Sequence, residues 1–403
     1  MTDLNQKIKR LTAEIYPELV RLRHTLHANP ELSGQEQETA ALVEKTLAAW
    51  NIPYTRLPAS TAIIAQVQGR AGEASIGIRA DMDALPIEEA TGLEYESRNK
   101  GVMHACGHDI HTVNLLGTGY LLTRLRDDFA GTVKLVFQPA EETGGGAQEI
   151  LDFGVLENPP VSAFLAAHVS EDVKTGWVQV KAEEVMLAAS QFTITLSGRG
   201  GHAAAPWLSD DLILAAAKII VELQSIITRK INHFEPVVIT VGSIHGGSRS
   251  NIIPKEVSFS GTIRTQSNDL HPLIHRHIAA LLAAAELSGG FKTQAEFRLG
   301  SGAVYNAPSL TREFAAAAAA AIGPERVLTA KYPGSGSENF YRFASRVPSV
   351  FFRLGVNPDP AAGIEPAHSP RFTADDAALA TGVRVTTAAA LRFLQLEGAA
   401  NDS

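Results

Sequence analysis

The octet HACGHDIH, residues 104–111, places the chain's one cysteine, Cys106, among three of its thirteen histidines. Only Gly107 separates Cys106 from His108, and a glycine there lets the backbone bend so that both side chains can face one ion. Thiolate and imidazole suit zinc and similar borderline cations, while carboxylate extends the choice to manganese. More such groups flank it at wide intervals: Asp81 and Asp83 in RADMD before it, Glu141 and Glu142 in QPAEE and His168 in AAHVS after it. Adjacent Glu141 and Glu142 cannot both point the same way on an extended chain, so one can hold a metal while the other faces a water. A metal lowers that water's pKa from about 15.7 to about 7, and a neighbouring carboxylate can then take the proton. The chemistry in view is hydrolysis.

Each group has a plainer reading when taken alone. QPAEE reads as a solvated turn, His168 as a hydrogen-bonded core histidine, and Cys106 as a small buried residue. Asp81 and Asp83 could cap the segment that follows them. GRGGH, 198–202, reads as a flexible turn, without the strand-to-helix setting of a dinucleotide fingerprint. What argues for a site is where the groups fall. Strand-length apolar runs occur at 63–69, 75–83, 132–142, 161–170 and 349–356, with helical stretches between them. Three of these runs end in or carry the polar groups, and in open α/β sheets the functional crevice lies beyond the carboxyl ends of the strands.

These runs and helices predict an α/β domain whose central, mostly parallel sheet is flanked by helices. The first 50 residues add apolar residues at helical spacing, Ile8, Leu11, Ile15, Leu19, Leu22 and Leu26. The middle of the chain has another rhythm. Strand-like QFTITLSGRGG (191–201) precedes a helical stretch at 209–229, then PVVITVGSI (236–244) and EVSFSGTIRT (256–265). A second helix at 269–287 and TQAEFRL (293–299) complete the order β-α-β-β-α-β of a ferredoxin-like sandwich. The expected organisation is a catalytic domain from 1–186 and 301–403, with an α+β lid domain inserted at 187–300.

The bulk composition narrows the setting. The chain has 403 residues, 45% of them apolar and 19% charged, with a formal net charge of −8. Two domains suit that length. Mixed charge without a basic stripe argues against a nucleic-acid surface. No uninterrupted apolar run approaches the roughly 18 residues of a membrane span. The charged N-terminal segment shows no apolar leader, and a single cysteine fits a reducing compartment, so a cytoplasmic location is expected.

Seven motifs together, RADMDALPIEE, MHACGHDIH, VFQPAEE, AAHVS, SGRGGHAAAP, GGSRSNIIP and AHSPRF, resemble the di-metal amidohydrolases. This group includes N-acyl-amino-acid amidohydrolases, hippurate hydrolases and auxin-conjugate hydrolases, within the aminoacylase and carboxypeptidase superfamily. The resemblance runs from about residue 15 to about 393, and LRHTLHANPELSGQE near the start also fits. It implies metal ligands at Cys106, His108, Glu142, His168 and His368, with Cys106 shared by two ions. It implies Glu141 as general base and Asp83 as the carboxylate that orients a ligand or the base. On the lid it implies His202 as oxyanion stabiliser, and Asn251 and Arg264 as substrate holders. The cysteine-containing branch commonly has aspartate where this chain has Asp81, so Asp81 is not taken as a ligand. Three positions depart from the family's usual pattern: Asn339 where Asp is frequent, Trp207 where His is frequent, and Ala367 where Leu is common.

The expected protein is thus a metal-dependent amidohydrolase acting on a small N-acyl amino acid. Two divalent ions are implied, zinc or manganese, with cobalt and nickel also open. Homo-oligomers through the lid domain are an expectation of the same resemblance. A dipeptidase or carboxypeptidase would use the same parts. A cysteine hydrolase with Cys106 as nucleophile leaves Glu142, His168 and His368 without work. A non-catalytic metal-binding module on the same fold has no use for Glu141 as a base.

Overall fold

The computed structural model describes residues 2–334 and 336–401, and by contacts the chain falls into two compact units. Among the described residues, the first comprises 2–185, 305–332 and 339–401, and the second 186–304, 333–334 and 336–338. Residues 333–334 and 336–338 cluster with the second unit, where the sequence reading places 301–403 in the first.

The first unit is built on an eight-stranded mixed sheet. Its order is Tyr54–Arg56, Ile63–Gln68, Ala130–Gln138, Arg70–Asp81, Ala163–Lys174, Ser349–Asn357, Val178–Val180, Val327–Thr329. The four central strands, from Ala130–Gln138 to Ser349–Asn357, run parallel to one another. Strands buried on both faces read as unbroken apolar runs. Accordingly residues 131–138 are buried at every position, as are 74–81. The three short strands 54–56, 178–180 and 327–329 escape the sequence reading because three residues give no period to detect.

Helices cover this sheet. The N-terminal helix Thr2–Ala28 buries the stripe expected of it, Ile8, Leu11, Ile15, Leu19, Leu22 and Leu26. Helix His108–Arg124 is buried continuously from His108 to Leu122. The C-terminal helix Ala377–Asn401 contains the one stretch of the described residues, 377–398, that is long and apolar enough to cross a membrane. That stretch is 72% buried inside the protein, as befits a core helix.

The second unit is an antiparallel four-stranded sheet in the order Val237–Gly246, Glu256–Thr265, Ala188–Ser197, Lys292–Ser301. Helices Leu212–Lys230 and Leu270–Gly289 supply Leu212, Ile219, Leu223, Ile274, Ile278 and Leu282 to a core with Phe192, Ile194, Leu196, Phe259 and Ile263. The β-α-β-β-α-β order and its sheet arrangement are those of the ferredoxin-like sandwich.

Candidate metal centre

The site grows from the carboxyl ends of the parallel strands of the first unit. Strand Arg70–Asp81 delivers Asp81 and, two residues on, Asp83; both are buried. The loop before helix His108–Arg124 delivers Cys106, and His108 opens the helix itself. Gly107 between them has φ +74°, and a Cβ there would lie 2.6 Å from Val169 Cγ2, so the turn admits no side chain. Strand Ala130–Gln138 runs into the loop that holds Glu141 and Glu142, with Ala140 held at φ +54°. His168 lies within strand Ala163–Lys174. His368 comes from a distant loop, adopts φ +67°, and donates its backbone N–H to Ala105 O at 2.8 Å. That bond seats the last histidine against the cysteine loop.

All five expected ligand positions meet. Cys106, His108 and His168 place one donor atom each within 4.8 Å of the others, as do Cys106, Glu142 and His368. Cys106 belongs to both groups. Cys106 Sγ lies 3.5 Å from His168 Nε2, and Glu142 Oε1 lies 3.4 Å from His368 Nε2 and 3.9 Å from His108 Nε2. Glu141 joins His108 and Glu142 in a further group.

The hydrogen bonds orient these donors. His108 Nδ1 is 3.2 Å from Asp83 Oδ1, which leaves Nε2 for a ligand. His168 Nδ1 donates to Val169 O at 2.8 Å, which turns its Nε2 toward the cysteine. Asp83 Oδ2 accepts from Ser33 Oγ at 2.6 Å and from the Glu142 backbone N–H at 3.0 Å, so one carboxylate steers two proposed ligands.

His108 Nε2 and Glu142 Oε1 are buried without a hydrogen-bond partner. Leaving a buried polar atom unpaired costs about 1–3 kcal/mol, and more for a charged one. A cation bound there would satisfy both atoms together. Burial opposes a proton on His108, but Asp81, Cys106 and Asp83 outweigh it and hold the ring well above its usual value. The field there favours positive charge. A thiolate, three imidazoles and a carboxylate form a donor set suited to borderline divalent ions.

Asp81, His108 and His111 also crowd together, but that grouping is already satisfied. His111 Nδ1 bonds Asp81 Oδ1 at 2.5 Å, and its Nε2 accepts from Val169 N–H at 2.8 Å, so neither nitrogen is left for an ion. Asp81 Oδ2 pairs with Arg79 Nη1 at 2.7 Å.

The electrostatics disfavour a thiol nucleophile. Burial pushes the Cys106 thiol up, and burial also pushes His168 down to about 3. A nucleophile needs its thiol held low, the opposite of the shift at Cys106.

Residues 77–392 match the profile of Peptidase family M20/M25/M40. The chain belongs to this family. It is similar to the N-acetylcysteine deacetylase of Bacillus subtilis, 36% identical over 370 residues that span 90% of this chain and 93% of the relative. It is also similar to the N-acyl-L-amino acid amidohydrolase of Geobacillus stearothermophilus, 36% identical over 302 residues, 75% of this chain and 81% of the other. Among solved structures, a dinuclear metal binding peptidase from the M20 family of Bacillus subtilis aligns with a TM-score of 0.83 at 31% identity, over 95% of this chain and 99% of that one.

The remaining expected residues of this M20 chain lie in the second unit. His202 is exposed; its Nδ1 accepts from Ala204 N–H at 3.0 Å, so in the neutral ring Nε2 carries the proton and can donate. Asn251 is also exposed, and its backbone carbonyl accepts from Ala203 N–H at 3.1 Å, beside His202. Arg264 has a buried Nη1 with no hydrogen-bond partner among the described residues.

Several supporting residues were missed by the sequence reading. Glu36 accepts from Ala140 N–H at 2.9 Å and from Thr61 Oγ1 at 2.8 Å, holding the loop before Glu141. Asp109 pairs with Arg23 at 3.1 Å and with His27 at 2.9 Å, tying the start of helix His108–Arg124 to the N-terminal helix. Ser33, Glu36, Arg23 and His27 all fall within LRHTLHANPELSGQE, a motif that carried resemblance but no assigned role.

Proposed function

We propose that the protein hydrolyses the amide bond of N-acyl amino acids, releasing a carboxylic acid and a free amino acid, with two divalent ions as cofactors. The observation that carries this reading is the meeting of Cys106, His108, Glu142, His168 and His368, with buried His108 Nε2 and Glu142 Oε1 lacking hydrogen-bond partners. Cys106, His108, Glu142, His168 and His368 would hold the ions, zinc or manganese, which would supply Lewis acidity and lower the pKa of a water toward neutrality. Glu141 takes a proton from the attacking water and passes it to the leaving nitrogen as the C–O bond forms and the C–N bond breaks. Asp83 holds His108 and the Glu142 backbone in place. His202 Nε2 is assigned to the developing oxyanion, and Asn251 and Arg264 to the substrate's polar end, Arg264 to its carboxylate. The names of the two amidohydrolase relatives support the substrate class.

A panel tests this. Metal-depleted protein is assayed on N-acetyl, benzoyl and indole-acetyl amino acids and on dipeptides, with zinc, manganese, cobalt and nickel added in turn. Turnover of acyl amino acids that requires added metal is the expected result. Cleavage of dipeptides alone would replace this reading with a peptidase one. Glu141→Gln should lower kcat by about 10²–10⁴-fold while metal stays bound. A parental rate from that variant would remove Glu141 from its role.

A further inference from the structure

A reactive carboxylate on a loop has to be aimed. Glu141 lies between the end of strand Ala130–Gln138 and a glycine-rich turn, and its Oε1 accepts a hydrogen bond from the backbone N–H of Asn339 at 3.0 Å. That amide is itself fixed. Asn339 is 3% exposed. Its Oδ1 accepts from Arg79 Nη2 at 3.0 Å and from Gln138 Nε2 at 2.9 Å, and its Nδ2 donates to Gly145 O at 2.9 Å. Gln138 precedes the Glu141 loop and Gly145 lies near its far end. Asn339 therefore ties the loop on both sides of Glu141 and gives its own main-chain amide to the carboxylate.

We propose that Asn339 is a positioning residue for the reaction: its side chain locks its backbone amide, and that amide aims the Glu141 carboxylate. This rests on the reading of Glu141 as the base. The geometry asks for a carboxamide. Two donors converge on Oδ1, while Nδ2 faces a carbonyl oxygen. A carboxylate keeps the first pair of bonds and sets an oxygen against Gly145 O. Alanine loses all three bonds. Arg79 also holds Asp81, which stands 3.6 Å from His108 Nε2, so the base and the ligand floor share one anchor.

The test compares Asn339→Asp, Asn339→Ala, Glu141→Gln and the double variant Glu141→Gln/Asn339→Ala as metal-loaded full-length proteins on an N-acetyl amino acid. Misplacing a reacting group by about 1 Å can cost on the order of 10²-fold. Asn339→Ala is expected to lower kcat by roughly 10–100-fold with KM within about two-fold and metal affinity, read by calorimetric titration, unchanged. Asn339→Asp should fall between it and the parent. In the Glu141→Gln background the alanine change should cost nothing further, because a base that is gone cannot be aimed. A parental kcat in Asn339→Ala overturns the proposal. So does a loss expressed in KM or metal affinity, or a full second loss in the double variant. Should the alanine variant fail to fold, the aspartate variant decides by the same split of kcat from KM. A Glu141→Gln protein at the parental rate would instead sink the base assignment, which keeps the two failures apart.

Discussion

The two compact units bury different things. The first folds around charge: Arg23 against Asp109, Arg79 against Asp81, and His108 between Asp81 and Asp83, every one of these side chains at 2% exposure or less. The second folds around hydrocarbon; Glu338 and Asp210 are buried acids in it, and Asp210 pairs with an Arg199 that stands in solvent. Removing ions from water costs several kcal/mol each, which pairing recovers only with good geometry, whereas apolar burial returns about 25 cal/mol per Å². A unit that accepts the first kind of interior at its strand ends holds those groups for chemistry. The large apolar sheet around them meets the cost.

If that contrast is right, metal removal should act on one unit. A chelator is expected to abolish turnover and to lower the unfolding transition of the first unit, leaving that of the second in place. At a thousand-fold excess of ion over Kd, the lost stabilisation is about 4 kcal/mol. Differential scanning calorimetry with and without chelator reads both, and re-addition of metal should restore both. A shift shared equally by the two transitions would break the comparison.

Next in size is a buried charge left alone. Arg23→Met deprives Asp109 of its guanidinium and should cost about 3–5 kcal/mol in urea unfolding. His27 still bonds Asp109, so the lower end of that range is expected if His27 stays protonated. A loss below about 1 kcal/mol would mean that the ionic interior is not structurally needed.

Much of this division was legible in the sequence because residue type and position agreed. Apolar runs that end in acids announced strands whose carboxyl ends face a site, and cysteine, histidine and glutamate are the side chains metals prefer. What stayed hidden lacks such a marker. The bond from Asn339 to Glu141 uses a backbone amide, which every residue but proline carries. Arg23 and His27 sit on a helix whose apolar stripe is plain, and nothing in a 3.6-residue period tells that its polar neighbours turn inward to Asp109, more than 80 positions away. Ser33 and Glu36 carry no periodic signal, and their partners, Asp83 and the Ala140 amide, lie two residues beyond the ends of two strands.

A smaller effect comes from pH. Burial opposes a proton on His27, but Asp109 and Glu89 bond its two nitrogens and raise it to about 9 against an ordinary 6.5. The folded protein therefore binds this proton more tightly than the unfolded chain. Its stabilisation is complete below about pH 6.5 and is lost as pH rises through about 9, roughly 3 kcal/mol in all. Unfolding free energies across that window should show the decline, and His27→Gln should flatten it. A decline that persists in the variant would assign the alkaline loss to another group.

The smallest expected change lies in the second unit. Leu287, near the end of helix Leu270–Gly289, is 91% exposed. Leucine and lysine have similar helix propensity, and a positive charge in a last turn is weakly favoured by the helix dipole. Leu287→Lys should therefore move stability by no more than about 0.5 kcal/mol, in the stabilising direction if in either. The hydrocarbon that holds this unit is inside it, and Leu287 is outside. Were the substitution to cost more than about 1 kcal/mol and the cost to grow with protein concentration, the leucine would be covered in solution by another copy. The second unit would then bury hydrocarbon on its outer face as well as in its core, a sharper contrast with the first than the single chain displays.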